Sequence, residues 1–246
     1  MLEFLDRILN AETADDVWAL QTDAIESFGF DRLIYGFTRY MTETGFGCPD
    51  DCLILSNHEP EYVQRYIGDG LYAHAPMLHW AARNVGACSW RWVRENLHAF
   101  GDAQHEVLAL NRQYGVTAGY TISFHDATSR SKGALGLAAR PGLTQDDADA
   151  IWSRHGRTIT AMCGVAHLKM IQLPFGSARK LTRRQRETLE WVRDGKTAQE
   201  TAAIMGVSAA TVEKHLRLAR EALNAGTTTQ AVLKATMQNQ IFVLEA

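Results

Sequence analysis

The stretch whose reading decides the fold of the C-terminal part is Thr197–Ala219, TAQETAAIMGVSAATVEKHLRLA. Thr197 and Glu200 have the spacing of a capping box, in which the hydroxyl accepts from a backbone N–H three residues on and the carboxylate reaches back. Gly206 is placed to stop the helix so begun, because glycine enters the left-handed conformation at no steric cost. Ser208 then caps a second run. The expected product is a helix, a turn MGVS and another helix. Ala202 and Ala203 are small enough for close packing, and Ile204, Val207, Val212 and Leu216 are the expected apolar contacts between the helices. That leaves Ala209, Ala210, Thr211, Lys214, His215, Arg217 and Leu218 on or near the outer side of the second helix.

Working outward, Thr182 and Gln185 make another capping box for the helix RRQRETLEWVRD, which Gly195 stops, and Thr228 is the expected cap of TQAVLKATMQ. Four short helices therefore fill residues 181–246. A helix-turn-helix reads DNA through the N-terminal half of its second helix, laid in the major groove. Thr, Lys and Arg suit phosphates and base edges, and small Ala residues allow close approach. Charge points the same way. Ser177–Ala246 carries 11 Lys and Arg against 7 Asp and Glu, a net +4, whereas the first 176 residues carry 14 against 21, a net −7. A plain four-helix domain with a basic surface would show the same balance, so the motif has to decide.

The run from Leu181 resembles the LuxR-type helix-turn-helix. The matching features are Leu181-Thr182, Glu187, Leu189, Gly195-Lys196-Thr197, Glu200, Ala202, Gly206 and Ser208, followed by Thr211-Val212, His215-Leu216 and Thr229-Gln230-Ala231-Val232. The resemblance implies that Thr197, Ala210, Thr211, Lys214, His215 and Arg217 contact double-stranded DNA, with the protein acting as a homodimer on a palindromic site. Three positions depart from the pattern: Thr201 for an aliphatic residue, Glu213 for a basic one that commonly touches DNA, and Asn224 for a glycine.

Upstream, Pro174, Gly176 and Ser177 mark a boundary, with residues 173–180 as the linker between a domain over 1–172 and one over 181–246. In the first domain Glu12–Phe28 shows Val17, Leu20, Ala24 and Phe28 at helical spacing. RLIYGFTRY and CLILS are rich in branched and aromatic residues, as strands are. Pro60 opens a helical PEYVQRYIGD. A helix runs from about Gln104 to Tyr114 and ends at Gly115. GYTISFHD and GALGLAAR are expected as neighbouring strands, and Thr144 with Asp147 caps a long helix reaching about Met170. Helices bracketing strands indicate an α+β domain with an antiparallel sheet.

One segment here, Glu61–Met77, EYVQRYIGDGLYAHAPM, concentrates three tyrosines, a histidine and a proline. It carries a looser resemblance to the ligand domain of quorum-sensing receptors, whose landmarks are N-Y-P-x-x-W-x-x-x-Y, Asp-Pro, Ser-Trp and Gly-x-x-x-Gly. This chain has NHEPEYVQRY, AHAPM, CSW and GVTAG. The resemblance implies an α-β-α sandwich that binds an acyl-homoserine lactone or a related small signal. Tyr66, Pro76, Trp90 and Gly119 match. Tyr62 stands where the family has the tryptophan that bonds the lactone carbonyl, and Ala75 where it has the aspartate that accepts the amide proton. With Ala75 unable to accept, His58, Asp69 or His74 is the expected substitute, or the ligand is non-standard.

Other readings fall away. Cys48 and Cys52 with His58 lack a second pair of ligands for zinc. Asp146, Asp147 and Asp149 are expected to be a helix N-terminal charge cluster. GALGLAAR lacks the strand-to-helix setting of a dinucleotide loop. No nucleophile–base set can be assembled for an enzyme, and no apolar run reaches about 18 residues, the length of a membrane span. The scattered cysteines and the acidic, amphipathic N-terminus fit a cytoplasmic protein without a cofactor. The expected function is a ligand-responsive transcriptional regulator. The alternative is a ligand-independent regulator, or an inhibitory partner of another receptor of the same type.

Overall fold

The computed structural model describes residues 1–42, 45–126, 128–175 and 181–242. These form two compact units, Met1–Ile171 and Gln172–Ala246. Residues 176–180, most of the expected linker, lie outside the described residues.

The first unit opens with α1 (Leu2–Asn10) and α2 (Ala14–Glu26), followed by β1 (Phe30–Thr38) and β2 (Leu53–Ser56). Then come α3 (Pro60–Val63), which continues as a wider turn over Gln64–Gly68, α4 (Pro76–Arg83), β3 (Gly86–Ser89), α5 (Arg91–Glu95) and α6 (Asp102–Gln113). It closes with β4 (Gly119–Ser123), β5 (Lys132–Ala139) and α7 (Gln145–Met170). The strands form one antiparallel sheet in the order β2-β1-β5-β4-β3.

Strand alternation divides this sheet into two working faces. Leu33, Tyr35, Phe37, Leu135 and Leu137 are buried, and their face meets α7. There the Tyr35 hydroxyl lies 2.8 Å from His167 Nδ1, and the His167 ring stacks on Phe124 at 4.2 Å. Ile34, Gly36, Ala134 and Gly136 point the other way and floor a cavity roofed by residues of α3 to α6. The result is an α-β-α sandwich.

The capping box at Thr144 and Asp147 starts α7 as expected, and a second, at Thr13 and Asp16, starts α2. The face of α2 differs from the expected one. Its buried residues are Ala14, Val17, Gln21 and Ile25, not the set Val17, Leu20, Ala24 and Phe28. The helix packs between β1 and α7, and the stripe at spacing three and four that meets both includes the polar Gln21, which a hydrophobic pattern skips.

In the second unit α8 (Arg183–Arg193), α9 (Ala198–Met205), α10 (Ala209–Ala222) and α11 (Thr228–Met237) surround a core of Leu189, Val212, Leu216, Ala219, Leu223, Ala231 and Ala235. Gly206 takes the left-handed conformation, φ +66°, and turns α9 into α10. Asn224 is left-handed as well, φ +47°, a conformation asparagine tolerates better than most residues and one that suits the glycine the resemblance leads one to expect there. Two expectations are corrected. The cap of α11 is Thr227, whose hydroxyl accepts from the Gln230 N–H at 3.1 Å, because Thr228 is already the first helical residue. Ile204 is 47% exposed and Ala203 is exposed, while Thr201, Ala202 and Met205 turn inward. Helix α9 has only eight residues, and its inward stripe is fixed by contact with α8 and α10 on both sides.

Candidate ligand cavity and DNA-reading helix

The cavity has a volume of about 360 Å³, toward the small end of the range of about 300–1,000 Å³ usual for ligand pockets. Tyr62 lies at its centre of interest. Its ring stacks on His58 (centroids 4.7 Å apart) and on Tyr66 (5.4 Å), and its hydroxyl donates to Asn111 Oδ1 at 3.0 Å. Trp90 contributes its ring, and its indole N–H donates to Thr121 Oγ1 at 2.9 Å. The Tyr62 hydroxyl, the donor that the resemblance would offer to a ligand, and the Trp90 indole are thus both satisfied within the chain.

Ala75 lines the cavity at 3% exposure and forms the N-cap of α4, with Pro76 as its first residue. A methyl group there makes no capping bond. His58 is 8% exposed. Burial, with a smaller contribution from Arg32, pushes its pKa down to about 4, so at neutral pH it is an uncharged ring with one donor and one acceptor nitrogen. Neither ring nitrogen has a partner among the described residues. Asp69 and His74 do not line the cavity; Asp69 instead accepts from Gln64 at 3.4 Å. Gly119 is not a lining residue either. It sits against Trp90, and a Cβ there would lie 2.0 Å from the Leu137 carbonyl oxygen and 3.0 Å from the Trp90 ring. Its role is close approach of strand to strand.

Tyr72, the third tyrosine of Glu61–Met77, lines the cavity as well, and several further lining residues carry no sequence signal: Arg94, Asn111, Arg112, Thr121 and Lys132. They come from elements distant in the chain and meet only when the sheet and α6 are assembled. No Asp or Glu lines the cavity among the described residues.

Trp90 is held from behind. Ser89 donates to Asp149 Oδ1 at 2.7 Å, and Arg91 reaches Oδ2 of the same carboxylate at 2.7 Å. Tyr120 and the Gln145 amide complete the set, each 2.8 Å from Oδ1. Burial alone would raise the Asp149 pKa, yet hydrogen bonds from Ser89, Gln145, Tyr120 and Arg91 hold it down at about 2. Asp146 and Asp149 are therefore partners of Arg91, and Asp147 is the capping residue; the cluster does more than complement the helix dipole.

On α10 the buried residues Val212, Leu216 and Ala219 face the core, which sends the opposite side outward. Ala210, Glu213, Lys214 and Arg217 are exposed there, with Thr211 and His215 half-buried beside them. Ser208 caps the helix through the Thr211 N–H at 3.2 Å. Arg217 is paired with Glu221, whereas Glu213 and Lys214 have no side-chain partner among the described residues. Thr197, at the start of α9, spends its hydroxyl on Glu200.

Comparison with known proteins agrees with this geometry. Residues 13–170 match the autoinducer binding domain family, and residues 179–235 match the family of bacterial regulatory proteins, luxR family. The quorum sensing-dependent transcriptional regulator RpaR of Rhodopseudomonas palustris is 28% identical over 233 residues, covering 91% of each chain. The transcriptional activator AnoR of Acinetobacter nosocomialis is 24% identical over 238 residues, covering 96% of each. Among solved structures, Escherichia coli SdiA superposes with a TM-score of 0.51 at 19% identity, covering 97% of this chain and 96% of that one. CepR2 of Burkholderia cenocepacia, an N-acylhomoserine lactone-dependent factor, gives 0.53 at 22% identity over 69% of this chain and 94% of its own. An autoinducer-binding domain followed by a LuxR-type helix-turn-helix places the chain in the LuxR family of ligand-binding transcriptional regulators, not among enzymes.

Proposed function

We propose that this protein is a cytoplasmic regulator that binds a palindromic promoter site as a homodimer and alters that binding when a small signal molecule fills the cavity of residues 1–172. The observation that carries the reading is the outward face of α10. A helix that begins Ala209-Ala210 and then presents Thr211, Lys214 and Arg217 combines close approach with groups that bond phosphates and bases. One helix-turn-helix covers a half-site, so two are needed, with half-sites about one helical turn apart. Thr197, Ala210, Thr211, Lys214, His215 and Arg217 are the proposed DNA contacts. Tyr62, Tyr66, Ala75, Pro76, Trp90 and His58 are the proposed ligand contacts, with Gly119 supporting Trp90 from behind.

The test is a gel shift of the full chain on selected palindromes, with sedimentation of the same samples. A monomer at micromolar concentration that still binds the full palindrome tightly contradicts the homodimer. Glu213 favours one second reading, an inhibitory partner that pairs with another LuxR-type receptor and reads DNA poorly, because a free carboxylate on the reading face repels phosphates. That reading requires weak binding alone and loss of the other receptor's shift on mixing.

A further inference from the structure

The cavity is unbalanced in hydrogen-bonding character. Its amide and indole groups are occupied: Asn111 Oδ1 accepts from Tyr62, and Thr121 Oγ1 accepts from Trp90. Lys132 also lines it, but its ammonium donates to the carbonyls of Asn84 (3.0 Å) and Phe124 (3.3 Å). The lining side chains that keep hydrogen-bonding capacity without a partner among the described residues include the Tyr66 and Tyr72 hydroxyls and the Arg94 and Arg112 guanidiniums. Hydroxyls donate readily and guanidiniums only donate. Against them stand one acceptor nitrogen on the uncharged His58 and the neutral hydroxyl and amide oxygens of the lining, with no carboxylate among the described residues.

An acyl-homoserine lactone has an amide N–H that needs an acceptor, and burying it unpaired is costly. A carboxylate needs donors alone, and arginine is the side chain best shaped to supply two at once. Arg94 and Arg112 are exposed residues of the lining, on α5 and α6, so an ion pair there is reached from water and need not cross the apolar interior. The floor of the cavity at Ile34, Ile54 and Ala134 is apolar.

On the reading of the chain as a ligand-responsive regulator, we infer that its signal is an amphipathic monocarboxylate: an acyl or aryl body in the cavity, and a carboxylate head held by Arg94 and Arg112 with the tyrosine hydroxyls. The apolar body supplies affinity through burial. The head supplies selection, because an ester of the same body accepts hydrogen bonds but carries no charge.

The experiment titrates the full chain at neutral pH with decanoate, methyl decanoate and N-octanoyl-homoserine lactone, read by calorimetry and thermal shift, with a gel shift on the same samples. Decanoate is expected to bind at least about tenfold tighter than its ester or the lactone, the lower end of one charge-assisted bond. Arg94→Gln with Arg112→Gln is expected to remove that margin, weakening decanoate at least about tenfold more than the ester. The Lys double variant, with charge kept, is expected to restore part of it, which separates lost charge from a damaged fold. Equal or tighter binding of ester or lactone overturns the inference, as does decanoate affinity unchanged in the Gln variant. Lactone binding without decanoate binding leaves the ligand-responsive reading standing and removes the carboxylate. A gel shift by protein that binds none of the three removes both.

Discussion

Ala75 closes the N-terminus of α4 with a methyl group inside the cavity. A carboxylate at this N-cap would accept from the helix and offer its second oxygen to a ligand N–H. Ala75→Asp is accordingly expected to bind acyl-homoserine lactones at least about tenfold tighter than wild type, and to weaken carboxylate ligands by like-charge repulsion. Thermal shift across several acyl lengths measures both. A wild type that already responds strongly to one lactone, with the response abolished by Ala75→Asp, shows the amide to be held by another group, His58 being the lining candidate. Gly119 makes a second residue-level case. Alanine there would drive its Cβ into the Leu137 carbonyl, a backbone atom fixed by the β4–β5 pairing. The expected cost of Gly119→Ala is about 3 kcal/mol, the upper end for overpacking, read by urea denaturation; a change below about 0.5 kcal/mol shows that the strands yield there.

At the scale of elements, α10 and α7 give separate tests. Lys214→Ala and Arg217→Ala are each expected to weaken operator binding by about 1–3 kcal/mol where they reach bases, and wild-type shifts from both remove α10 as the reader. For α7, the Asp149 pKa of about 2 lies below the ordinary aspartate value of 3.8. Stability from this carboxylate is therefore present above the ordinary aspartate value of 3.8 and is lost as pH falls toward about 2. Urea midpoints at pH 7 and pH 3 should differ less in Asp149→Asn than in wild type; parallel pH profiles count against the role given to this group. Element starts were readable in the sequence because a cap is a local event: Thr144 with Asp147, Thr182 with Gln185 and Thr197 with Glu200 all formed. Element faces were less so. Gln21 and Thr201 are inside and Ile204 is outside because the elements packed against their helices select the stripe. The cavity was legible through His58, Tyr62, Tyr66, Tyr72, Ala75 and Pro76, close together in the chain, and through Trp90 in CSW. Arg94 and Arg112 had no pattern to announce them, since what joins them to the tyrosines is the closing of α5 and α6 over the sheet.

For the molecule as a whole, no carboxylate lines the cavity among the described residues, and the polar groups of Tyr62 and Trp90 are bonded internally. A cavity lined by neutral rings and apolar side chains, with no buried carboxylate to leave unpaired, depends less on a ligand for folding. Protein from cells that make no signal is expected to be recovered soluble and to melt cooperatively, and recovery only as aggregate contradicts this. The pairing of β1 with β5, Phe30 beside Ala139, has a consequence in time. A ribosome adding about 5–20 residues per second needs several seconds or more to deliver the second strand after the first. Throughout that interval Leu33, Tyr35 and Phe37 have β2 at one edge but neither β5 at the other nor α7 to cover them. The C-terminal helices, made last and capped by their own threonines and Ser208, wait on no such distant partner. Synthesis therefore exposes the sensing half to chaperones and to early aggregation far longer than the half that meets the promoter.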